Sequence, residues 1–588
     1  MLTIAGVLVN SRCSKDQRKI KRTPVRIRRF SYNACMNRVF PWIAVTIIIV
    51  FHIFVDLWWI DENTAFNGVS EGDLVTKAFE FRDYWESDRI DREKWRYLFC
   101  REERTDTPRL LFLYGYWSMK IFGESKDALL YPMVIWHALL LLATYLFGRV
   151  TVGRRAALLG MAILSFMPQV FDFARSYSMY CASAAIYIFA LVALVKSEGL
   201  TRLRPGIIFA LLACLQMLTE RGTPFIFLAG PLAVSIWPTA RDIAEGRTRI
   251  FFWLNIAIGL ALFYVLVWPY LLGYLSLTGG HIGERVTQSF FTPGDHWYDS
   301  NFKFLYYLVE LGLRQAGLLA TTVFYISLIA LWKKPFLHRR IVIASLAVPF
   351  VIFTLIGTKD MTYVLAWLPL VALVAAHGVF SLPHKALRTC VAIFILAVSV
   401  FNFTSRSFGL DWIERANLGN CGKRPVVAFL TNWRGRFQPR MPDTSWRLEE
   451  TAQKIVSTID SPDPIYIHYR YRTGHIDPQY DLSFAVCFAD SRIVNVIRFF
   501  PEPEDAPDRE LTRITILPVG AWPEAIRTED ESLFWLLLKF DTGRFIEHNE
   551  DEQLKFDKYL ESLDRREVMR GELAPGFPYR VDVAWPRE

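Results

Sequence analysis

Long apolar runs recur along this chain from residue 41 to about 404, and they constrain its fold more than any other feature. A helix rises 1.5 Å per residue, so roughly 20 apolar residues cross a ~30 Å hydrocarbon core. The runs fall near residues 40–60, 127–147, 156–170, 179–195, 206–219, 223–238, 250–272, 316–332, 341–357, 361–380 and 389–404. They predict an α-helical polytopic membrane protein with about eleven transmembrane helices. The composition agrees, with 52% hydrophobic residues and a mean hydropathy of +0.22.

Residues 405–588 differ. They are rich in Pro, Asp, Glu and Arg, contain no spanning run, and are long enough for a core of their own. Strand-like runs at 424–430, 464–469 and 491–497, with a helix-like run at 445–459 between the first two, predict a soluble α/β domain. No Gly-rich phosphate loop follows the first strand, which argues against a nucleotide-binding domain. The eight cysteines show no zinc-like spacing. Cys421 and Cys487 fall in this tail, where an extracytoplasmic location would permit a disulfide.

Residues 1–39 carry a basic series from Arg12 to Arg29. They are too long for a signal peptide, and no small-residue cleavage site follows the first span, so they read as a cytoplasmic signal-anchor flank. The first span then exits outward into a polar loop at 61–107. Segment 108–123 is apolar but short and reads as re-entrant or interfacial. Every connection then placed inside is basic: Arg149, Arg154 and Arg155; Lys196, Arg202 and Arg204; Arg241, Arg247 and Arg249; Lys333, Lys334, Arg339 and Arg340; Lys385 and Arg388. The outer connections hold Asp61, Glu62, Asp172, Glu220, Asp295 and Asp360. This alternation puts the tail domain outside and accounts for the net charge of +9 without nucleic acid.

Four outer-side features could carry chemistry. Asp61-Glu62 closes the first span and could supply a general base with a supporting partner. Arg175, in Phe173-Ala174-Arg175 through Tyr180 and preceded by Asp172, could grip a phosphate bidentately or simply anchor an interface. Lys359 stands outside, where positive residues are scarce, in Thr358-Lys359-Asp360 through Tyr363. The outer loop 278–315 carries His281, Glu284, Arg285, Asp295 and His296, whose spacing supports no metal site.

Together these stretches resemble the GT-C superfamily of glycosyltransferases, most nearly the protein O-mannosyltransferases and the lipid A aminoarabinose transferases. The acidic motif after span one corresponds to Asp61-Glu62. A Pro-containing helix ending in Phe-Gly-Glu-Ser corresponds to Pro108 through Phe122-Gly123-Glu124-Ser125. The Ala-Arg motif corresponds to Ala174-Arg175 through Tyr180. Leu-Thr-Lys-Gly corresponds to Leu218-Thr219-Glu220-Arg221-Gly222, with Glu220-Arg221 replacing the Lys. The late Thr-Lys motif corresponds to Thr358-Lys359, Tyr363 and Pro369. His-Pro-Pro is reduced here to Thr107-Pro108-Arg109.

The resemblance implies transfer of a sugar from a polyprenyl- or dolichyl-phosphate donor to a hydroxyl on a lipid, glycan or protein, with inversion. Asp61 would be the base and Glu62 its partner. Arg175, Lys359 and Arg221 would hold the donor phosphate. Asp172, Tyr180, Tyr363, His281 and His296 would shape the pocket. No cofactor is required, and a divalent metal receives little weight. The implied location is a bacterial inner membrane with the site facing the periplasm, or an ER membrane with a lumenal site. A transporter or flippase, or a non-catalytic scaffold of the same fold, is the competing class. A transporter would place charges within its spans and show repeated halves, whereas here the ionisable residues stand at span mouths and no repeat is evident.

Overall fold

The computed structural model describes residues 32–62, 69–86, 110–220, 223–246, 250–269, 271, 305–333, 336, 338–356, 361–408 and 457, together with short strands between 420 and 586. Met1–Ala44 and Val45–Glu588 form two units. All of the helix packing and site geometry below lies within the second.

Helices follow the apolar runs. Helix α1 is Tyr32–Glu62, α2 Val69–Glu86, α3 Leu110–Phe122, α4 Lys126–Thr151, α5 Arg154–Ser165, α6 Pro168–Ala174, α7 Tyr180–Lys196 and α8 Leu203–Thr219. Then come α9 Thr223–Ala244, α10 Ile250–Leu262, α11 Tyr306–Glu310, α12 Leu318–Lys333, α13 Arg339–Leu355, α14 Leu368–Ser381 and α15 Lys385–Phe408. Local chemistry sets the boundaries. Ser125 caps α4 by accepting from the Ala128 amide at 3.1 Å, with Asp127 in the first turn and Arg149 in the last to match the helix dipole. Gly153, at φ +90°, makes the turn from α4 to α5 in a conformation that side chains resist. Pro168 starts α6, and the chain bends by 65° between α5 and α6.

Among the described residues, six helices are long and apolar enough to cross a membrane, or seven if the bent α5–α6 pair is one span. The chain is therefore an integral membrane protein, but this count falls below the eleven expected. The shortfall has a geometric cause. Helices α7, α8, α12 and α13 are only 16–17 residues long, about 26 Å at most, just short of the hydrocarbon thickness. Helix α3, with 13 residues or about 20 Å, is too short to span, in keeping with a re-entrant or interfacial segment.

Two expected loops contain structure. The first outer loop holds α2, whose Val75, Ala78 and Phe81 recur at helical spacing and bury against Phe112 and Tyr116 of α3. Arg82 bonds Glu124 at 2.8 Å, tying α2 to the start of α4. The second outer loop ends in α11, where Tyr306 and Tyr307 are buried in the main core. Their aromatic bulk makes them core residues.

The interior is built on α14, 78% of whose spanning window is buried, against 17% for α10 and for α15, which lie at the periphery. Close approach relies on small residues. A Cβ added at Gly160 of α5 would stand 2.8 Å from Leu373 Cδ2, 3.2 Å from Leu373 Cα and 3.3 Å from the Ala372 carbonyl oxygen of α14. Trp332, Phe54 and Trp237 project outward, 81%, 71% and 71% exposed, as a lipid-facing surface requires.

In the tail, β1 (Asn420–Cys421) pairs with β2 (Arg424–Pro425), the only strand described within the expected 424–430 run. A five-stranded mixed sheet has the order β4-β3-β5-β7-β6, with β3 Ile465–Arg470, β4 Ile493–Arg498, β5 Thr512–Pro518, β6 Leu563–Ala574 and β7 Phe577–Pro586. Strands β3 and β4 match two expected runs and pair in parallel, so a crossover connects them. Strands β6 and β7 form an antiparallel hairpin closed between Ala574 and Phe577. Of the expected helix at 445–459 only Ser457 is described, as helical, and Cys487 lies outside the described residues.

Candidate functional site

Helix α1 carries His52, Asp56 and Trp59 at i, i+4 and i+7, which places all three on one face. They meet His137 of α4, Arg175 just beyond α6, and Phe403 and Ser407 near the end of α15. Asp56 is the centre. Its Oδ1 accepts from Arg175 Nε at 2.9 Å, and its Oδ2 lies 2.7 Å from His137 Nδ1. Arg175 Nη1 also donates to Ser407 Oγ at 2.9 Å. His52, Asp56, His137, Arg175 and Ser407 are all buried, none more than 2% exposed.

The carboxylate and guanidinium form a neutral ion pair in an apolar surround, the arrangement that makes two buried charges tolerable. Trp59, Phe171 and Phe403 present their rings 5.2–5.4 Å from the Arg175 guanidinium carbon and take up part of its charge. His52 stands edge-on to His137, with ring centres 5.2 Å apart, and packs on Phe166 and Phe403. Neither ring nitrogen of His52, nor Nε2 of His137, has a hydrogen-bond partner among the described residues. One ligand atom from each of His52, Asp56 and His137 lies within 4.8 Å of the others, a donor set able to hold a metal ion.

Ionisable residues therefore do lie inside the helices of the membrane body, contrary to the expectation that all of them stand at span mouths. The reason is mutual satisfaction: Asp56, His137 and Arg175 partner one another across three elements, which a linear sequence does not display.

The residues expected at the site are distributed unevenly. Asp61 and Glu62 are exposed at the end of α1, five and six positions beyond Asp56. Asp61 and Asp127 are close enough to Tyr131 of α4 to act on its hydroxyl electrostatically. Arg175 is present but buried. Its ion pair is with Asp56, not with the Asp61-Glu62 pair. Asp172 is half-buried in α6, its carbonyl accepting from the Arg175 amide at 3.3 Å. Tyr180 is half-buried at the start of α7, its ring 5.1 Å from that of Phe173. Lys359, Arg221, His281, His296 and the side chain of Tyr363 lie outside the described residues.

A second buried acid sits at the end of α8. Glu220 accepts hydrogen bonds from Ser183 of α7 and Thr223 of α9. It is 7% exposed, where the sequence places it on a polar outer connection. Burial pushes its carboxyl up to about 7, opposed by the two hydroxyl bonds.

No family profile and no curated protein matches the sequence. Among solved structures, the chain is similar to ArnT from Cupriavidus metallidurans in the apo state. That match has 15% identity and a TM-score of 0.49, covering 79% of this chain and 90% of that one. The same protein bound to undecaprenyl phosphate gives 14% identity and a TM-score of 0.48, covering 77% and 89%. The archaeal oligosaccharyltransferase AglB from Archaeoglobus fulgidus, in complex with an inhibitory peptide and a dolichol-phosphate, gives 12% identity and a TM-score of 0.41, covering 73% and 59%.

Proposed function

We propose that this chain is a GT-C type membrane glycosyltransferase. It would move a sugar from a polyprenyl-phosphate donor to an acceptor hydroxyl at the extracytoplasmic face, with inversion. One observation carries the reading. The Arg175–Asp56 ion pair, between residues 119 apart in sequence, ties the Ala174-Arg175 motif to α1, the helix that ends in Asp61-Glu62. Asp61-Glu62 and Ala174-Arg175 are two of the motifs by which the sequence resembles that superfamily, and the ion pair supports the reading by linking the helix of the first to the second.

In this mechanism Asp61, exposed beside Tyr131, accepts the proton of the acceptor hydroxyl as it attacks the anomeric carbon, and Glu62 orients it. The C–O bond to the lipid phosphate breaks, and the leaving group departs already anionic. Lys359 and Arg221 are the cations assigned to it. Arg175 is a positioning residue: held by Asp56 and Ser407, it fixes the end of α1 beneath the reacting groups. The assigned location is a bacterial inner membrane, with the acceptor reached from the periplasm.

The test is transfer from a labelled polyprenyl-phosphate sugar by the purified chain in lipid. Asp61→Asn should lower transfer by about 10²–10⁴-fold at unchanged expression and insertion. Full activity in that variant removes Asp61 from the base role. A transporter is the second reading, favoured by the His52–Asp56–His137–Arg175 cluster within the helices. It would move solute across proteoliposomes without consuming the donor lipid.

A further inference from the structure

His52 and His137 take no part in the transfer reaction above, Asp56 enters it only by holding Arg175 through Oδ1, and the composition of the three points to a different ligand. We propose that these three side chains form a binding site for a divalent ion of the zinc class, fastening α1 to α4. Two imidazoles and a carboxylate are a borderline donor set, which suits Zn²⁺ in preference to Mg²⁺ or Ca²⁺. The three donor atoms already lie within 4.8 Å of one another. Bonds of about 2.0–2.1 Å in a tetrahedral site hold ligand atoms roughly 3.3 Å apart, so Asp56 Oδ2 and His137 Nδ1, now 2.7 Å apart, need open only slightly.

His52 is the stronger argument. It is 1% exposed, and neither ring nitrogen has a hydrogen-bond partner among the described residues. Leaving a buried polar group unsatisfied is unfavourable, and packing alone would be served as well by a phenylalanine. The ring lies beside His137 and on the same helix face as Asp56, with a ring nitrogen within 4.8 Å of donor atoms of both. The outer arrangement also suits a ligating carboxylate. Arg175 Nε holds Asp56 Oδ1 at 2.9 Å, which orients the carboxylate and leaves Oδ2 for the ion. The three rings around Arg175 attract its charge through their electron-rich faces. Hydroxide in the open fourth position offsets part of the ion's charge, since zinc lowers the pKa of bound water to about 7. When the ion enters, the ring proton of His137 moves from Nδ1 to Nε2.

The experiment uses the full chain purified in detergent without chelator, with elemental analysis for zinc and the other first-row metals. The expected result is about one zinc per chain and a higher unfolding temperature on adding Zn²⁺ to chelator-treated protein. His52→Phe preserves the ring packing and removes the nitrogens, and should lower zinc affinity by about 10–100-fold. Absence of bound metal, with no shift on adding Zn²⁺, overturns the proposal, as does undiminished zinc binding in His52→Phe. If that variant fails to fold, Co²⁺ added to the wild-type chain decides: a visible d–d band of a nitrogen–oxygen site supports the assignment, and a featureless spectrum overturns it.

Discussion

Replacing Asp56 by Leu should be among the most damaging single changes in this protein. Asp56 is wholly buried, and both of its oxygens are engaged at 2.9 and 2.7 Å. The substitution removes both bonds and leaves the Arg175 guanidinium without this carboxylate in an aromatic cage. Opposite charges about 4 Å apart attract by roughly 4 kcal/mol at an effective dielectric of 20. Removing one partner of a buried pair costs about 3–5 kcal/mol by mutational precedent. Both routes give a loss of about 4 kcal/mol. Arg175→Met alone strands the carboxylate and should cost a similar amount. The double variant strands neither charge, so it should lie within about 1–2 kcal/mol of wild type, because paired apolar replacement of a buried ion pair is often neutral. Equilibrium unfolding in mixed micelles, followed by far-UV circular dichroism, supplies the three free energies of the cycle. A double variant that loses the sum of the single losses would refute the reasoning, because additivity means the two charges do not depend on each other.

Glu220 predicts a pH dependence. Its folded pKa, about 7, is raised above the ordinary 4.5, so the folded state holds the proton more tightly than the unfolded chain does. Its contribution is therefore complete below about pH 4.5 and is lost as pH rises toward 7, a decline on the order of 3 kcal/mol. Glu220→Gln should flatten that part of the stability–pH curve, and an unchanged slope in the variant would reject the assignment. Gly160→Ala should destabilise by about 1–3 kcal/mol, because the new Cβ meets backbone atoms of α14 that cannot rotate away. Gly259→Ala is the matched control. Its Cβ would stand 3.6 Å from the Ala210 Cβ, ordinary contact, so helix propensity should leave that variant neutral or slightly stabilised on the same unfolding curve.

Much of the helical body was legible because a spanning helix must be apolar along its whole length, and α1, α4 and α9 announce themselves that way. The span count was less legible. Whether 17 apolar residues cross the bilayer depends on tilt and neighbours, which the sequence of α7 or α8 does not contain. Helix α2 was readable in principle from the spacing of Val75, Ala78 and Phe81, but its charged residues mask the pattern. Strand β7 likewise alternates Tyr579, Val581 and Val583 with Arg580 and Asp582.

At the site, the sequence singled out Arg175 as a phosphate-binding candidate, whereas the acid it pairs with, Asp56, did not follow from motif position. The signal for Asp56 was present: His52 and Asp56 stand four residues apart inside an apolar run, where ionisable side chains are rare and seldom idle. The partners of Asp56, His137 and Arg175, stand 81 and 119 residues away, and Ser407, which Arg175 binds in turn, is 232 residues beyond Arg175, a pairing that only the packed helices reveal.

The bond from Arg175 to Ser407 joins the middle of the chain to the last helix of the membrane body, 232 residues later. During synthesis at about 5–20 residues per second, Arg175 emerges roughly 10–50 s before Ser407 exists. Phe403, one wall of the aromatic cage, arrives equally late. The corner holding Asp56 is thus completed only when α15 enters the bilayer. Until then Arg175 lacks both the Ser407 hydrogen bond and the Phe403 face of its cage.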